Sequence, residues 1–394
     1  MSDYIPDEVL IEILARLPVK SLLQFRSVCK SWNSLIANPS FITAHLNRTK
    51  SNTTLPQLLI IKYTSHIQNQ EHCISCSDDQ TFCDEFVDLE NPFHRSGKSF
   101  KIVGSCNGLL CLSDYDGSGC ALLWNPSIRR FLTLPESGYS VSDSNLRFVF
   151  GFGFDHRCND YKVLKIGYLN DFKTGGSVLC KVELYTLSTH SWRPVCVVDF
   201  KFEFFINTSS AFVNGAVHWV AFDPAKKRGS AILIVAFDMG NEVFREISLP
   251  NYQTNGRLHT STAVAVLDES LAVIDFESDL VPTDLICNFH IWVMEEYGVI
   301  ESWTKRHTVI GQHIFSNVLG FRRNGDVLII QGGLPGELVS YDPQSHQIKY
   351  HGVYGNSFYL YTYIESLVAL DAADGVWKSH GHPSSPNIVA NKGA

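Results

Sequence analysis

The feature that most narrows what this chain can fold into is a tight turn that recurs five times in front of an apolar strand. The copies are Asn107-Gly108 before 109–112, Asn159-Asp160 before 161–166, Asn214-Gly215 before 216–220, Asp268-Glu269-Ser270 before 271–276, and Asn324-Gly325-Asp326 before 327–330. Numbered at 108, 161, 215, 270 and 325, they step by 53, 54, 55 and 55 residues. A second strand pair follows each copy: 122–126 to 131–132, 182–185 to Trp192, 232–237 to 244–247, 290–293 to Trp303, and 338–341 to 348–350. The residues between these pairs are Ser, His, Gly, Asn and Pro, as tight hairpins require. Each unit therefore reads as a four-stranded meander of about 40–55 residues, the size of a propeller blade. A sixth copy, Ile364-Glu365-Ser366 before 367–370, follows 41 residues later. Its closing strands at 361–370 are expected to pair with strands from 58–62 and 81–89, joining the two ends of the chain in one ring and removing exposed edges. The alternatives are a β-sandwich or two smaller β domains.

Composition agrees with a β-rich body. Aromatic residues make up 12% of the chain, with 25 Phe and 15 Tyr against three Met, and such side chains suit a pleated, half-buried surface. A formal net charge of -8 argues against nucleic acid or an anionic membrane as the main partner. The longest apolar run, 231–237, is far shorter than a membrane span. The acidic, amphipathic start (Asp3, Asp7, Glu8, Glu12) does not read as a signal peptide. Eleven cysteines without a framework suggest reduced thiols in the cytosol or nucleus, where the sequons at Asn47, Asn52 and Asn207 stay unmodified.

Only the first ~46 residues have a helical period. Ile5, Val9, Leu10, Ile13, Leu14 and Leu17 mark one apolar helix face, started by Asp3, Pro6, Asp7 and Glu8 and stopped at Leu17-Pro18. Leu22, Leu23 and Phe25 give a second helix. Val28, Trp32, Leu35 and Ile36 give a third, ending before Asn38-Pro39. So small a unit cannot bury this much apolar surface by itself. Either it packs on the rest of the chain, or it is an open half-bundle whose apolar edge docks a partner.

Ile5-Pro6-Asp7-Glu8-Val9-Leu10, Ile13-Leu14, Leu17-Pro18, Leu22-Leu23, Val28-Cys29-Lys30-Ser31-Trp32 and Phe41 resemble an F-box over about residues 3–43, with Ile5 where Leu is usual. The resemblance implies insertion into the C-terminal helices of a Skp-family linker protein, and through it a cullin–RING ubiquitin ligase. Its implied contacts are Ile5, Pro6, Leu10, Ile13, Leu14, Leu17, Pro18, Val28 and Trp32; Trp32 fits equally well as an internal core residue. In the body, Gly104-Ser105-Cys106-Asn107-Gly108-Leu109-Leu110-Cys111, Trp124-Asn125-Pro126 with Leu134-Pro135, Gly151-Phe152-Gly153-Phe154-Asp155 with Asp160-Tyr161-Lys162-Val163, and Asn214-Gly215-Ala216-Val217-His218-Trp219 resemble the plant type 1 F-box-associated (kelch-like) domain. Relatives in that group include S-locus F-box proteins and F-box regulators of immune receptors.

The expected fold is thus a small all-α N-terminal F-box of three helices followed by an all-β, propeller-like domain of about six four-stranded blades with mixed N- and C-terminal closure. The expected boundaries are 1–46 for the F-box, 47–56 for a linker, 57–378 for the β domain and 379–394 for a disordered Gly/Pro/Ser tail.

The repeat also predicts a binding face. The second-to-third and fourth-to-first connections look long (136–146, 167–179, 196–208, 222–231, 250–262, 277–288 and 309–317). In an up-down meander these emerge on one side of the ring, and recognition sits on such loops. Candidate contacts with a protein substrate are Tyr139, Phe172, Phe205, Lys226, Arg228, Tyr252, Arg257, His259 and His313; aromatic and Arg side chains are the commonest hot spots. Lys226-Lys227-Arg228 reads as a steering patch or as a solvated turn. His72-Cys73-x-x-Cys76 with Cys83 offers only one half of a zinc spacing. Gly104-x-Cys106-x-Gly108 imitates a nucleophile elbow, but a strand rather than a helix follows it.

No catalytic site, metal or cofactor is expected. The implied function is that of a substrate-recognition subunit of a Skp–cullin–F-box ubiquitin ligase. The alternatives are an F-box interaction module outside a ligase, or a propeller enzyme or glycan-binding protein with an unrelated helical head.

Overall fold

The computed structural model describes residues 6–52, 57–67, 70–90, 92, 99–114, 119–138, 146–171, 176–197, 200–204, 209–226, 232–250, 262–278, 287–310, 315–370 and 378–379. The head has four helices rather than three: α1 (Asp7–Leu14), α2 (Val19–Phe25), α3 (Lys30–Ile36) and α4 (Pro39–Ser51). Asn38-Pro39, expected as a stop, is also a start. The Asn38 side chain accepts a hydrogen bond from the Ser40 N–H at 2.8 Å, and Pro39 occupies the first turn, where its missing N–H is not needed. The stretch 47–51, expected to be linker, is therefore helical.

The body is a ring of six blades. Blade 2 contains Phe100–Cys106, Leu109–Asp114, Ala121–Asn125 and Arg130–Thr133; blade 3 contains Leu146–Asp155, Asp160–Asp171, Gly176–Thr186 and Ser191–Pro194. Blade 4 contains Ala216–Phe222, Ile232–Asp238 and Val243–Ile247, with Glu203–Phe204 and Ser210–Val213 sharing its inner position. Blade 5 contains Ala263–Leu267, Ser270–Ser278, Cys287–Met294 and Trp303–Ile310. Blade 6 contains Phe315–Phe321, Val327–Gln331, Gly336–Tyr341 and the first half of Ile348–Tyr363. The second half of that long strand is the inner strand of blade 1, where it pairs with Leu58–Ser65 and sets Leu58 opposite Tyr363. Glu71–Ser77 and Val87–Asp88 complete blade 1.

Four of the five recurrent turns work as the sequence suggests, while the fifth is a wider loop between Phe321 and Val327 in which Gly325 (φ 92°) is the left-handed residue. Asn107, Asn159, Asn214, Asp268 and Glu269 all have positive φ (47, 54, 50, 49 and 62°), the backbone twist that matches a hairpin to its strands. The turns expected between third and fourth strands are hairpins too, and their left-handed residues, which the sequence analysis did not name, are Arg129, His190, Glu242 and His346. In two of these turns a tyrosine hydroxyl hydrogen-bonds the histidine Nδ1, Tyr185 with His190 and Tyr341 with His346.

Six apolar clusters run between neighbouring blades among the described residues, and they close the circle. Leu109, Cys111 and Leu123 meet Phe152 and Tyr185 between blades 2 and 3. Leu164 and Leu184 meet Trp219 and Phe237 between blades 3 and 4. Equivalent clusters join blades 4 and 5, 5 and 6, and 6 and 1. Ile60, Cys73 and Tyr363 of blade 1 meet Leu110, Leu112 and Trp124 of blade 2. Alternate side chains of each strand thus serve two neighbours.

Three expectations are corrected. Residues 364–370 are not a sixth turn and strand but an irregular passage. Of 81–89 only Val87–Asp88 is strand, and the missing strand is Glu71–Ser77. Ser379, expected to open the disordered tail, is paired instead, because Lys378–Ser379 adds a short fifth strand to blade 2 beside Phe131 and Arg130.

Candidate functional site

The head is built around Leu14, Ala15, Val19, Leu22, Ile36 and Phe41. Asp7 and Glu8 occupy the first turn of α1, where the helix dipole favours acids. His45 of α4 reaches back to the end of α1, with Nε2 2.9 Å from the Leu17 carbonyl, and burial lowers its pKa. Arg48 of α4 also bonds Glu12 of α1 at 3.3 Å. The Phe25 and Trp32 rings pack edge to face at 5.3 Å, tying α2 to α3.

The expected docking residues divide. Ile5 lies outside the described residues. Pro6, Pro18, Ile13 (48% exposed) and Val28 (61%) are open to solvent. Leu10, Leu17 and Trp32 are half-buried, each with one side against the head core. Leu14 is the correction: at 1% exposure it is an interior residue of the free chain, because it lies on the flank of α1 that faces α2 and α4. Val9, which sequence reasoning left out of the contacts, is 48% exposed. Val9 and Ile13 are four apart on one helix face, but so are Leu10 and Leu14, and spacing alone does not say which pair is open. The head therefore packs on the ring and still keeps an apolar edge open.

Its seat is the face of the ring that carries the short turns. Ile128, in the third-to-fourth turn of blade 2, and Leu367 touch the head core. Lys50 Nζ donates to Asn107 Oδ1 at 2.9 Å. The long connections leave from the other ends of the strands, as at 222–232, 278–287 and 310–315. Docking edge and loop face are thus on opposite sides of the ring.

Most expected substrate contacts (Tyr139, Phe172, Phe205, Arg228, Tyr252, Arg257, His259 and His313) and Lys227 lie outside the described residues. Lys226 is described, and it is not an uncommitted cation: Nζ stands 3.8 Å from Asp223 and 3.6 Å from Glu246, which also hold Lys201. The described loop face instead presents Ile67 (87% exposed) and Leu334 (80%). The strands bearing these two turns both pair at Gly355, through Ser65 and Gly336. Nothing in the sequence periodicity marks them, because turn residues follow no apolar period.

The chemistry weighed in the sequence meets plain geometry. Cys73 and Cys76 lie on one strand at odd spacing and join clusters on opposite faces of the sheet, so they cannot share a metal. Among the described residues no group of three His, Cys, Asp or Glu is placed to hold one. Asn107-Gly108 joins two strands, and burial pushes the Cys106 thiol up to about 12. Lys165 sits buried between blades 2 and 3, where burial lowers its pKa to about 8. Its Nζ donates to Gly119 O and Ser137 Oγ.

Comparison with known proteins adds to this geometry. Residues 64–368 match the family described as F-box associated beta propeller domain, and residues 3–43 match the F-box domain. The chain is similar to F-box protein At3g07870 of Arabidopsis thaliana, at 29% identity over 95% of this chain and 94% of that protein. It is also similar to F-box/kelch-repeat protein At3g23880 of the same plant, at 29% identity over 78% of this chain and 80% of that one. Among solved structures, an oligogalacturonate lyase in complex with manganese aligns at a TM-score of 0.38 and 9% identity, over 75% of this chain and 85% of the other.

Proposed function

The chain belongs to the F-box proteins with an F-box-associated β-propeller domain, generally substrate receptors of Skp–cullin–F-box ligases, and from that premise we propose that it is such a receptor. The head docks on a Skp-family linker, and the ring holds a protein target on its loop face for ubiquitination and degradation. The observation that carries this reading is the open apolar edge, Val9, Ile13 and Val28 with Pro6 and Pro18, on a head that its own ring seats but does not cover. Full burial of each such aliphatic side chain by a partner is worth ~1.5–3 kcal/mol before association costs. Ile67 and Leu334 join the expected contacts on the target side. The chain supplies no reacting group in this scheme; it raises the effective concentration of a target lysine near the charged enzyme. We place this activity in the cytosol or nucleus.

Binding of the full chain to a purified Skp-family linker, measured by interferometry, tests the reading. Ile13→Glu with Val28→Asp is expected to weaken docking by at least ~100-fold, or about 2.7 kcal/mol, with the melting of the ring unchanged. A wild-type chain that does not bind, or a double variant that binds as well as wild type, refutes it.

A further inference from the structure

The passage after the last ring strand does not leave the molecule. From Tyr363, opposite Leu58 at the mouth of blade 1, residues 364–370 cross the short-turn face toward blade 2. Asn125 receives them: its Nδ2 donates to Ser366 O at 3.1 Å, Ser366 Oγ at 3.1 Å and Val368 O at 2.9 Å. Its Oδ1 accepts from the Tyr363 hydroxyl at 2.9 Å. Ser366 Oγ donates to Gly108 O at 3.2 Å. At Gly108, whose φ is +78°, a Cβ would stand 2.1 Å from Ser366 Oγ, so the turn is bare where the passage crosses it. Val368 and Leu370 pack into the cluster between blades 2 and 3. Leu367 points the other way and is buried with Leu14, Ala15, Val19, Leu22, Ile36 and Phe41.

We propose that the C-terminal passage is a latch that completes the head, with Leu367 as the last piece of its core and Asn125 and Ser366 as the residues that position it. A unit of this size has too little interior of its own to be more than marginal, and one of the seven buried residues in its core cluster, among the described residues, comes from the far end of the chain. The latch begins where the ring closes, so the head is finished only when the last strand has paired with the first. The docking surface made earliest in synthesis thus becomes competent last, and a chain with an open ring does not present it in order. The structural half of this inference stands on the contacts alone; its consequence for docking rests on the receptor reading above.

Amide hydrogen exchange of the full chain separates the two. Loss of most of a buried Leu raises the population of the open head by at least ~30-fold. In Leu367→Ala the amides of α1 and α4 should therefore exchange at least ~30 times faster, while those of blades 3–5 keep their wild-type rates. Leu367→Met should restore the head, because volume-conserving changes are tolerated. Docking on the Skp-family linker should fall about tenfold in Leu367→Ala and return in Leu367→Met. Unchanged head exchange in Leu367→Ala overturns the latch whatever docking does. Faster head exchange supports it even if the wild-type chain binds no linker, an outcome that sinks the receptor reading alone. Should Leu367→Ala destabilise the whole ring, Leu367→Val gives a graded version: exchange faster by ~2–10-fold confined to the head, with a uniform change across all blades counting against the latch.

Discussion

Replacing Lys162 with Met removes the cation that joins blades 3 and 4. Its Nζ, almost wholly buried, donates to Asp155 Oδ2, Glu242 Oε1 and Met239 O, each at 2.8 Å. Asp155 belongs to the same hairpin as Lys162, whereas Met239 and Glu242 lie in the third-to-fourth turn of the next blade. Removing one partner of a buried pair costs ~3–5 kcal/mol, because a charge is left behind. Here the lower end applies. Glu242 keeps Arg193, and Asp155 keeps the Arg157 N–H and the Cys158 thiol. A loss of about 3 kcal/mol, at roughly 2 °C per kcal/mol for a large domain, lowers the melting temperature by about 6 °C. Acid provides an internal check. Burial works against ionisation of Asp155, but hydrogen bonds from Lys162, Cys158 and the Arg157 N–H outweigh it and hold its pKa down at about 2. A folded pKa below the unfolded value of 3.8 stabilises the fold above that pH and loses its effect as pH falls toward 2. That difference is worth about 2 kcal/mol, and Lys162→Met should lack the part of it due to Lys162, since the Arg157 N–H and the Cys158 thiol still lower the pKa. Scanning fluorimetry at pH 7, 4.5 and 3 should show the gap between wild type and variant narrowing as pH falls. A melting shift under about 2 °C at pH 7, or a gap that widens in acid, refutes the bridging role.

Two further outcomes follow from burial. Leu14→Ala should destabilise the head by ~2–5 kcal/mol and lose helical ellipticity together with docking, whereas Ile13→Glu should lose docking with the helices intact; equal helicity in both would return Leu14 to the contact surface. His218, buried with Nε2 2.8 Å from the Tyr297 hydroxyl and Nδ1 3.1 Å from Ala211 O, has its pKa lowered by burial to about 4. Its neutral form is the folded one, so its contribution is complete above pH 6.5 and is lost as pH falls toward 4. His218→Gln should flatten the fall in urea midpoint between pH 7 and 4.5, leaving the parts due to His351, also lowered to about 4 by burial, and to His45 and His307, lowered by burial in the same direction; superimposable slopes would refute the assignment.

What could be read in the sequence was what local chemistry decides. Asn107-Gly108 and Asn214-Gly215 announce their turns because few residues accept a left-handed backbone, and the constant step between such turns gives the blade. The open residues Ile13 and Val28 came from a family pattern, while periodicity alone gave only an apolar face of α1 and could not divide Leu14 from Val9. What was missed depends on partners far away in the chain. Ile364-Glu365-Ser366 has the composition of a turn before a strand, yet Asn125 captures its backbone before any strand can form. Glu71–Ser77 hid behind its cysteines, whose thiols pack two different interfaces instead of a shared site. Asn38-Pro39 was ambiguous in principle, since an Asn can end one helix and cap the next.

The placement of head and loop face on opposite sides is a consequence of how the ring is closed. In a four-stranded meander the first and third strands run one way across the ring, and the second and fourth run the other. The blades begin at the loop face, so a first strand ends at the short-turn face. Blade 1 takes one strand from the C-terminal end and three from the N-terminal end. Leu58–Ser65 is therefore a second strand, and it begins at the short-turn face, which puts the helices that precede it on that side. An even split would make Leu58–Ser65 a third strand, starting at the loop face, and would seat the head among the long connections. The same odd split brings Tyr363 out beside Leu58, where the chain can reach both Asn125 and the head core. One strand of closure thus fixes which face carries the long connections, which face seats the head, and why residues 364–370 can lie between the head and the ring.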